Sequence, residues 1–394
     1  MLKAAISLIQ SSCTMRGILA SDVAKDNYQR IWARDSVIAG IAGIMANDAS
    51  IISGFKDSLI TLKNGQSELG IIPSNVQDEH IRSYGGIAGR VDATLWYIIG
   101  VSLLILNEHE TTELKFWKNS IDQAHKAVCY WEYNGQHLIY TPTSGNWADE
   151  YPVRGHTLYD NMLRLWGLSL SSLLFQQDDY NNKISEVKEK ISINFWPTQD
   201  QLNSHYIYHP RAYEDSINPK RNYWCTSIGP EGFNDQFDCA GNALMLLSGL
   251  ATVDQVNALV KYLKELFFDI KHSLVPAFWP PIFPDSHLWH ELEHNYSFSF
   301  KNHPYQFHNG AVWPVWMGLL CLGLSKYGQI NLIREINMTY SEHLRQHDYK
   351  FHECIRTDTF SAAGQERLVF SAAGAIFMSK ATDAHVYHKL KFEL

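Results

Sequence analysis

The chain has 394 residues, 45% hydrophobic and 19% charged, enough to bury a sizeable core as one large domain or two ordinary ones. A formal net charge of −8 and a pI near 6.1, with no Lys/Arg-rich run, argue against a polyanionic partner such as nucleic acid. No stretch approaches the length needed to span a bilayer, and no membrane partner is expected; the 13% share of aromatic residues supplies apolar platforms with polar tips that suit the faces of a neutral sugar.

Apolar residues recur at helical spacing along the whole length, while strand signals are weak. The opening "MLKAAISLIQSSC" has the look of a short signal peptide, but Gln10 interrupts its apolar run, so it reads as an amphipathic helix over Leu2–Ile9. Further helices are expected near Ser36–Met45, Ile52–Leu62, Ala93–Leu106, Glu113–Trp131, His156–Leu174 and Ile184–Phe195. The series continues near Asp238–Leu250, Val253–Phe268, Gly310–Leu324, Asn331–Leu344 and Gln365–Ser379, twelve in all. No linker-like segment divides the chain, so residues 1–394 read as a single domain, with a loop-rich insertion around 196–235.

Every second helix follows a loop dense in Gly, Trp, Asn and acidic residues: "YQRIWARD", "YGGIAGRVD", "TSGNWADEYPVRG", "GPEGFNDQFD", "HPYQFHNG" and "FHECIRTDTFSAAGQ". That alternation is what a closed ring of helical hairpins produces when the inner helices present their N-terminal loops to one funnel. Helix N-termini carry unpaired N–H groups and partial positive charge, so this face orients acidic and hydroxyl groups.

Within those loops, "NWADE" sets Asp149 and Glu150 beside Trp147, and "YKFHECIR" sets Glu353 among Phe351, His352 and Cys354. Hydrolysis of a sugar bond needs one protonated carboxyl to give the leaving oxygen a proton and one carboxylate to activate water or attack carbon. Burial beside aromatic rings keeps such an acid protonated, although acids near aromatics are also common as simple caps and ion pairs. Arg34 next to Asp35 in "WARDS" is, on its own, an ordinary surface ion pair. "HELEH", His290–His294, fits the zinc-peptidase HExxH pattern, but it sits between "WPPIFPDSHLW" and "NYSFSFKNHP", where a long metal-bearing helix has no room. No metal and no organic cofactor is expected. There is no phosphate-binding loop, dinucleotide fingerprint or serine nucleophile elbow. The six scattered cysteines read as reduced, buried thiols of a cytoplasmic protein.

The stretch from "RGILASDVAKDNYQRIWARDS" through "GRVDATLWYIIG", "FDCAGNALMLLSGLAT", "YQFHNGAVWPVW" and "FHECIR…GQERLVFSAAGAIF" resembles the neutral/alkaline invertases, in order from about Arg16 to Phe377. "WARDS" is also similar to the Trp-x-Arg-Asp segment of glucoamylases, and "NWADE" resembles glucosidases of the debranching type. The resemblance implies an all-α (α/α)6 toroid that hydrolyses a small α-glucoside, sucrose or a gluco-oligosaccharide, with inversion. It implies Asp149 as general acid, with Glu150 as the alternative, and Glu353 as general base. Arg34 and Asp35 would grip sugar hydroxyls, with Trp32, Asp92, Trp147, Glu150, His308 and Gln365 in the lining. Two other functions fit the same toroid: a sugar 2-epimerase using His308 and His352 as proton carriers, and a non-catalytic sugar-binding ring. The partner in each case is a small carbohydrate, with the oligomeric state open between monomer and homo-oligomer.

Overall fold

The computed structural model describes all residues except 26, 79–80, 109–113, 177 and 295–298. Twelve long helices carry the architecture: α1 (Leu2–Ser11), α2 (Ala33–Ala46), α3 (Ala49–Asn64), α4 (Val91–Glu108), α5 (Leu114–Tyr130), α6 (Leu158–Phe175), α7 (Asp178–Asn194), α8 (Cys239–Ser248), α9 (Val253–Ile270), α10 (Pro314–Lys326), α11 (Ile330–Gln346) and α12 (Val369–Lys380). All twelve expected helices are present; Glu113, the expected start of the fifth, lies outside the described residues.

The even-numbered helices pack each on the next, α2 on α4, α4 on α6, and so on to α12, which closes the ring against α2. Their sequences require this position. Ala33 to Met45 of α2 are buried apart from Arg34, α8 is buried throughout, and α12 is buried from Val369 to Met378, so none has a polar face to give to water. The odd-numbered helices pack outside: α9 buries only the stripe Val256, Leu259, Val260, Leu263, Leu266, Phe267 and Ile270 and leaves its other face in solvent. The result is an (α/α)6 toroid with one contiguous core.

Caps set the helix starts. Asp48, Thr157, Asp238 and Thr252 each accept a backbone N–H of the first turn, and Gln255 completes a capping box with Thr252. Glycine permits the close approach of the inner helices: a Cβ on Gly374 of α12 would lie 2.3 Å from the Pro314 carbonyl oxygen of α10.

The weak strand signal matches short ribbons placed just ahead of the inner helices. Ile31–Trp32 pairs with Asn75–Val76, which pairs with Arg82–Ser83. His156–Thr157 pairs with Ser227–Gly229, Phe237–Asp238 with Phe278–Trp279, and Cys354–Ile355 with Ala362–Ala363. These ribbons stiffen the loops at the N-terminal mouth of the ring. The stretch expected as a loop-rich insertion holds a short helix, Pro210–Asp215, and the strands Ser227–Gly229 and Gly232–Asn234. Four cysteines are buried as expected and Cys13 is half-buried, but Cys129 is exposed, because it sits on the solvent side of outer helix α5.

Candidate active site

A cavity of about 1090 Å³ opens at the N-terminal ends of the inner helices. Of the expected site residues, Trp32, Arg34, Asp35, Trp147, Asp149, Glu150, His308 and Glu353 line it. They come from four different loops, far apart in the chain and brought together only by ring closure.

Arg34 and Asp35 occupy the first turn of α2. The Arg34 Nη1 donates to Asp92 Oδ2 at 3.1 Å, and Nη2 stands 3.5 Å from Asp35 Oδ2. Neither acid is at the surface: Asp92 is 1% and Asp35 7% exposed. Burial works against the Arg34 charge, but the two carboxylates outweigh it and hold its pKa above the ordinary value. Burial likewise pushes both acids upward against the pull of Arg34. Asp92 does not line the cavity. It lies behind Arg34, where the Tyr159 hydroxyl donates to it at 3.3 Å and Trp96 Nε1 in turn donates to Tyr159 at 2.8 Å. Its place is therefore to hold the guanidinium rather than to meet a ligand.

The acid-bearing loop is tied from three sides. Asn146 Nδ2 donates to Asp160 Oδ2 at 2.9 Å, the Val91 N–H donates to the Gly145 carbonyl at 2.7 Å, and Asn302 Nδ2 donates to the Glu150 carbonyl at 2.7 Å. Asp149 accepts from Arg90 Nη2 at 2.8 Å. Glu150 is half-buried, and burial pushes its pKa up to about 7 against the Lys301 ammonium, which lies 3.7 Å away. Trp147 is 3% exposed, stacked on Phe278 at 5.4 Å and edge-on to Trp313 and His308, so its ring is committed to the wall.

Glu353 stands just ahead of the ribbon that precedes α12 and is 7% exposed. Tyr28 donates its hydroxyl to Oε1 at 2.9 Å, and the Gln365 N–H donates to Oε2 at 3.3 Å. Burial raises the pKa of Glu353, and the Tyr28 hydrogen bond opposes the rise. Gln365 acts through its backbone and does not line the cavity, since its side-chain amide turns to the Glu366 carbonyl. Gly364, at φ +76°, is required here: a Cβ would lie 2.4 Å from Glu353 Oε2.

Sequence reasoning missed Tyr28, Arg90 and Lys301. The first two stand in quoted loops, four residues before Trp32 and two before Asp92, and reading those loops for hydrogen-bond donors would have found them. Lys301 arrives from a loop with no distinguishing pattern. "HELEH" forms only a five-residue helix, Trp289–Glu293. The His290 and His294 rings stack 4.2 Å apart at the cavity wall, and Glu291 is taken by an ion pair with Arg154. The segment expected after it lies partly outside the described residues. Among the described residues no group of three or more His, Cys, Asp or Glu is disposed to hold a metal ion. His308 and His352 are not brought together: His308 lines the cavity with its ring stacked on Trp313, whereas His352 lies outside it with its ring 5.9 Å from His347.

The family model described as alkaline and neutral invertase matches residues 198–376. Over that stretch the chain is similar to the alkaline and neutral invertases. It is 21% identical over 371 residues to alkaline/neutral invertase CINV2 of Arabidopsis thaliana, covering 78% of this chain and 63% of that protein. Cytosolic invertase 1 of Oryza sativa subsp. japonica is also 21% identical, over 372 residues with the same coverage. The chain thus spans 63% of the length of those two proteins. Among solved structures, the GH63 mannosylglycerate hydrolase from Thermus thermophilus in complex with glucose superposes with a TM-score of 0.69 at 13% identity, covering 96% of this chain and 99% of that one. A GH78 rhamnosidase of Bacillus sp. GL1 superposes with a TM-score of 0.62 at 13% identity, covering 96% of this chain and 34% of that one. These likenesses carry the toroid fold.

Proposed function

We propose that the protein is an inverting glycoside hydrolase acting on a small α-glucoside, sucrose or a gluco-oligosaccharide. The observation that carries this reading is that one cavity is lined both by a carboxyl loop at Asp149–Glu150 and by a buried carboxyl, Glu353, held by Tyr28 and the Gln365 N–H. Glu353 would take the proton of the attacking water, and Asp149 would protonate the leaving oxygen. Arg34 and Asp35 would grip sugar hydroxyls. Asp35 Oδ2, Glu150 Oε2 and His308 Nδ1 are buried without a hydrogen-bond partner among the described residues. Polar groups left in that state cost stability.

A second acid assignment has an observation of its own. Arg90 already claims an oxygen of Asp149, while Glu150 is held near neutrality by burial, as a proton donor must be. A cytoplasmic location belongs to the same proposal, supported by the cytosolic invertase among the relatives and by six cysteines that remain free thiols. No helix among the described residues is long and apolar enough to cross a membrane.

The test is an NMR time course of the first sugar released from an α-glucoside panel that includes sucrose. β-Glucose as first product is expected; α-glucose would sink the inverting mechanism. Glu353→Gln should lower kcat by about 10²–10⁴-fold, because an amide cannot accept the water's proton.

A further inference from the structure

Among the described residues four Lys or Arg side chains line the cavity: Arg30, Arg34, Arg90 and Lys301. Three of them face carboxylates, at 3.1 Å (Arg34 to Asp92), 2.8 Å (Arg90 to Asp149) and 3.7 Å (Lys301 to Glu150). Arg30 differs. Among the described residues its side-chain partner is a neutral carboxamide, the Asn75 Oδ1 that accepts from Nη1 at 3.1 Å. Asn75 is 4% exposed and fixed in the ribbon beside Trp32, so it anchors one nitrogen of a guanidinium whose fork of donors exceeds what one carboxamide oxygen can take.

That arrangement has a consequence for the ligand. A neutral oxygen packed over Arg30 would accept an N–H but leave the charge without a counter-charge, whereas an anion would replace the water with a planar, two-point pair. The proposed sugar-gripping pair Arg34–Asp35 lies at the helix start after Trp32, and Arg30 lies two residues before that tryptophan in the lining of the same cavity. We propose that Arg30 is a specificity-determining residue that selects glucosides whose leaving group carries a carboxylate or phosphate. This rests on the glycosidase reading above and narrows its substrate class from neutral disaccharides to glucosides of small acids.

The experiment compares kcat/KM for the α-glucosides of lactate and of lactamide, which match in shape and differ in charge. The α-glucosides of glycerol phosphate and of glycerol form a second pair that separates phosphate from carboxylate. The wild-type protein should favour the acid over its neutral counterpart by about tenfold or more in at least one pair, and the preference should shrink as salt is raised. Arg30→Gln should bring that ratio to near one, and Arg30→Lys should retain part of it. A wild-type ratio near one in both pairs, or a ratio that Arg30→Gln leaves in place, overturns the inference. Failure to release glucose from all four compounds and from sucrose overturns the glycosidase reading instead. The salt dependence of the wild-type ratio decides the matter if the variants do not fold.

Discussion

At the scale of the single residue, the proposed mechanism turns on which carboxyl gives up the proton, and experiment can separate the two candidates. Glu150, lifted by burial to about 7, is protonated below that pH and ionised above it. Activity that depends on it is therefore present on the acid side and lost as pH rises through about 7. As the proposed base, Glu353 would act in its ionised form, and its upward shift would move the acidic limb of the profile upward. If Glu150 is the acid, Glu150→Gln should remove the alkaline limb and slow substrates with poor leaving groups by about 10²–10⁴-fold, while sparing activated ones. Asp149→Asn would then free Arg90 and alter KM more than the limb. Measuring both variants on an alkyl and a nitrophenyl glucoside across pH decides between them; an alkaline limb that survives Glu150→Gln and vanishes in Asp149→Asn returns the role to Asp149. Tyr28 belongs to the same scale. Its position was written in the first loop, but a tyrosine four residues before a tryptophan says nothing of a partner 325 positions later.

Elements were legible where periodicity alone decides them. All twelve ring helices follow from apolar spacing, and their inner and outer alternation from the loops that precede them, because a helix apolar all round has only the centre of the ring to occupy. What spacing could not carry is the polar wiring between elements. Glu132, just past α5, accepts from Arg164 of α6 and from Lys183 of α7, the latter at 2.8 Å, and both Arg164 and Glu132 are nearly out of solvent. Burial alone would raise the Glu132 pKa, but the two cations outweigh it and bring it to about 2. A carboxylate depressed in this way stabilises the fold above its unfolded value near 4.5, and the contribution is lost as pH falls through about 2. Glu132→Gln should cost about 3–5 kcal/mol at neutral pH, since Arg164 is left buried without its counter-charge. Urea unfolding at pH 7 and at pH 3 checks it: the difference between variant and parent should narrow at the lower pH. An equal stability of the two proteins at pH 7 would show that the network contributes nothing.

The molecule as a whole has two ends with different duties, and the sequence disclosed only one. The mouth at the N-terminal ends of the inner helices was announced by its acidic, aromatic loops. The opposite end is closed by residues Val386–Leu394, whose short sequence mixes apolar and charged residues with no helical rhythm that would assign it a place. Lys389 Nζ donates to the Ile44 carbonyl at the end of α2 at 2.8 Å, and Trp166 Nε1 of α6 donates to the Leu390 carbonyl at 3.0 Å. The Leu394 N–H donates to the Ser248 carbonyl at the end of α8 at 3.1 Å, and the Phe392 ring stacks on Trp166 at 5.1 Å. One segment therefore ties three of the six inner helices together where no active-site loop can. Phe392 is 1% exposed, so Phe392→Ala removes a fully buried ring and should cost about 3–5 kcal/mol. Trp166 would gain water, and its emission should shift to the red in the folded protein. Because the segment lies at the far end of the ring from the cavity, kcat/KM well below the unfolding temperature should stay at the parent value. A variant that unfolds with the parent and keeps its emission would mean that the plug is not part of the closed ring; one that loses activity while still folded would mean that the two ends of the toroid are mechanically coupled.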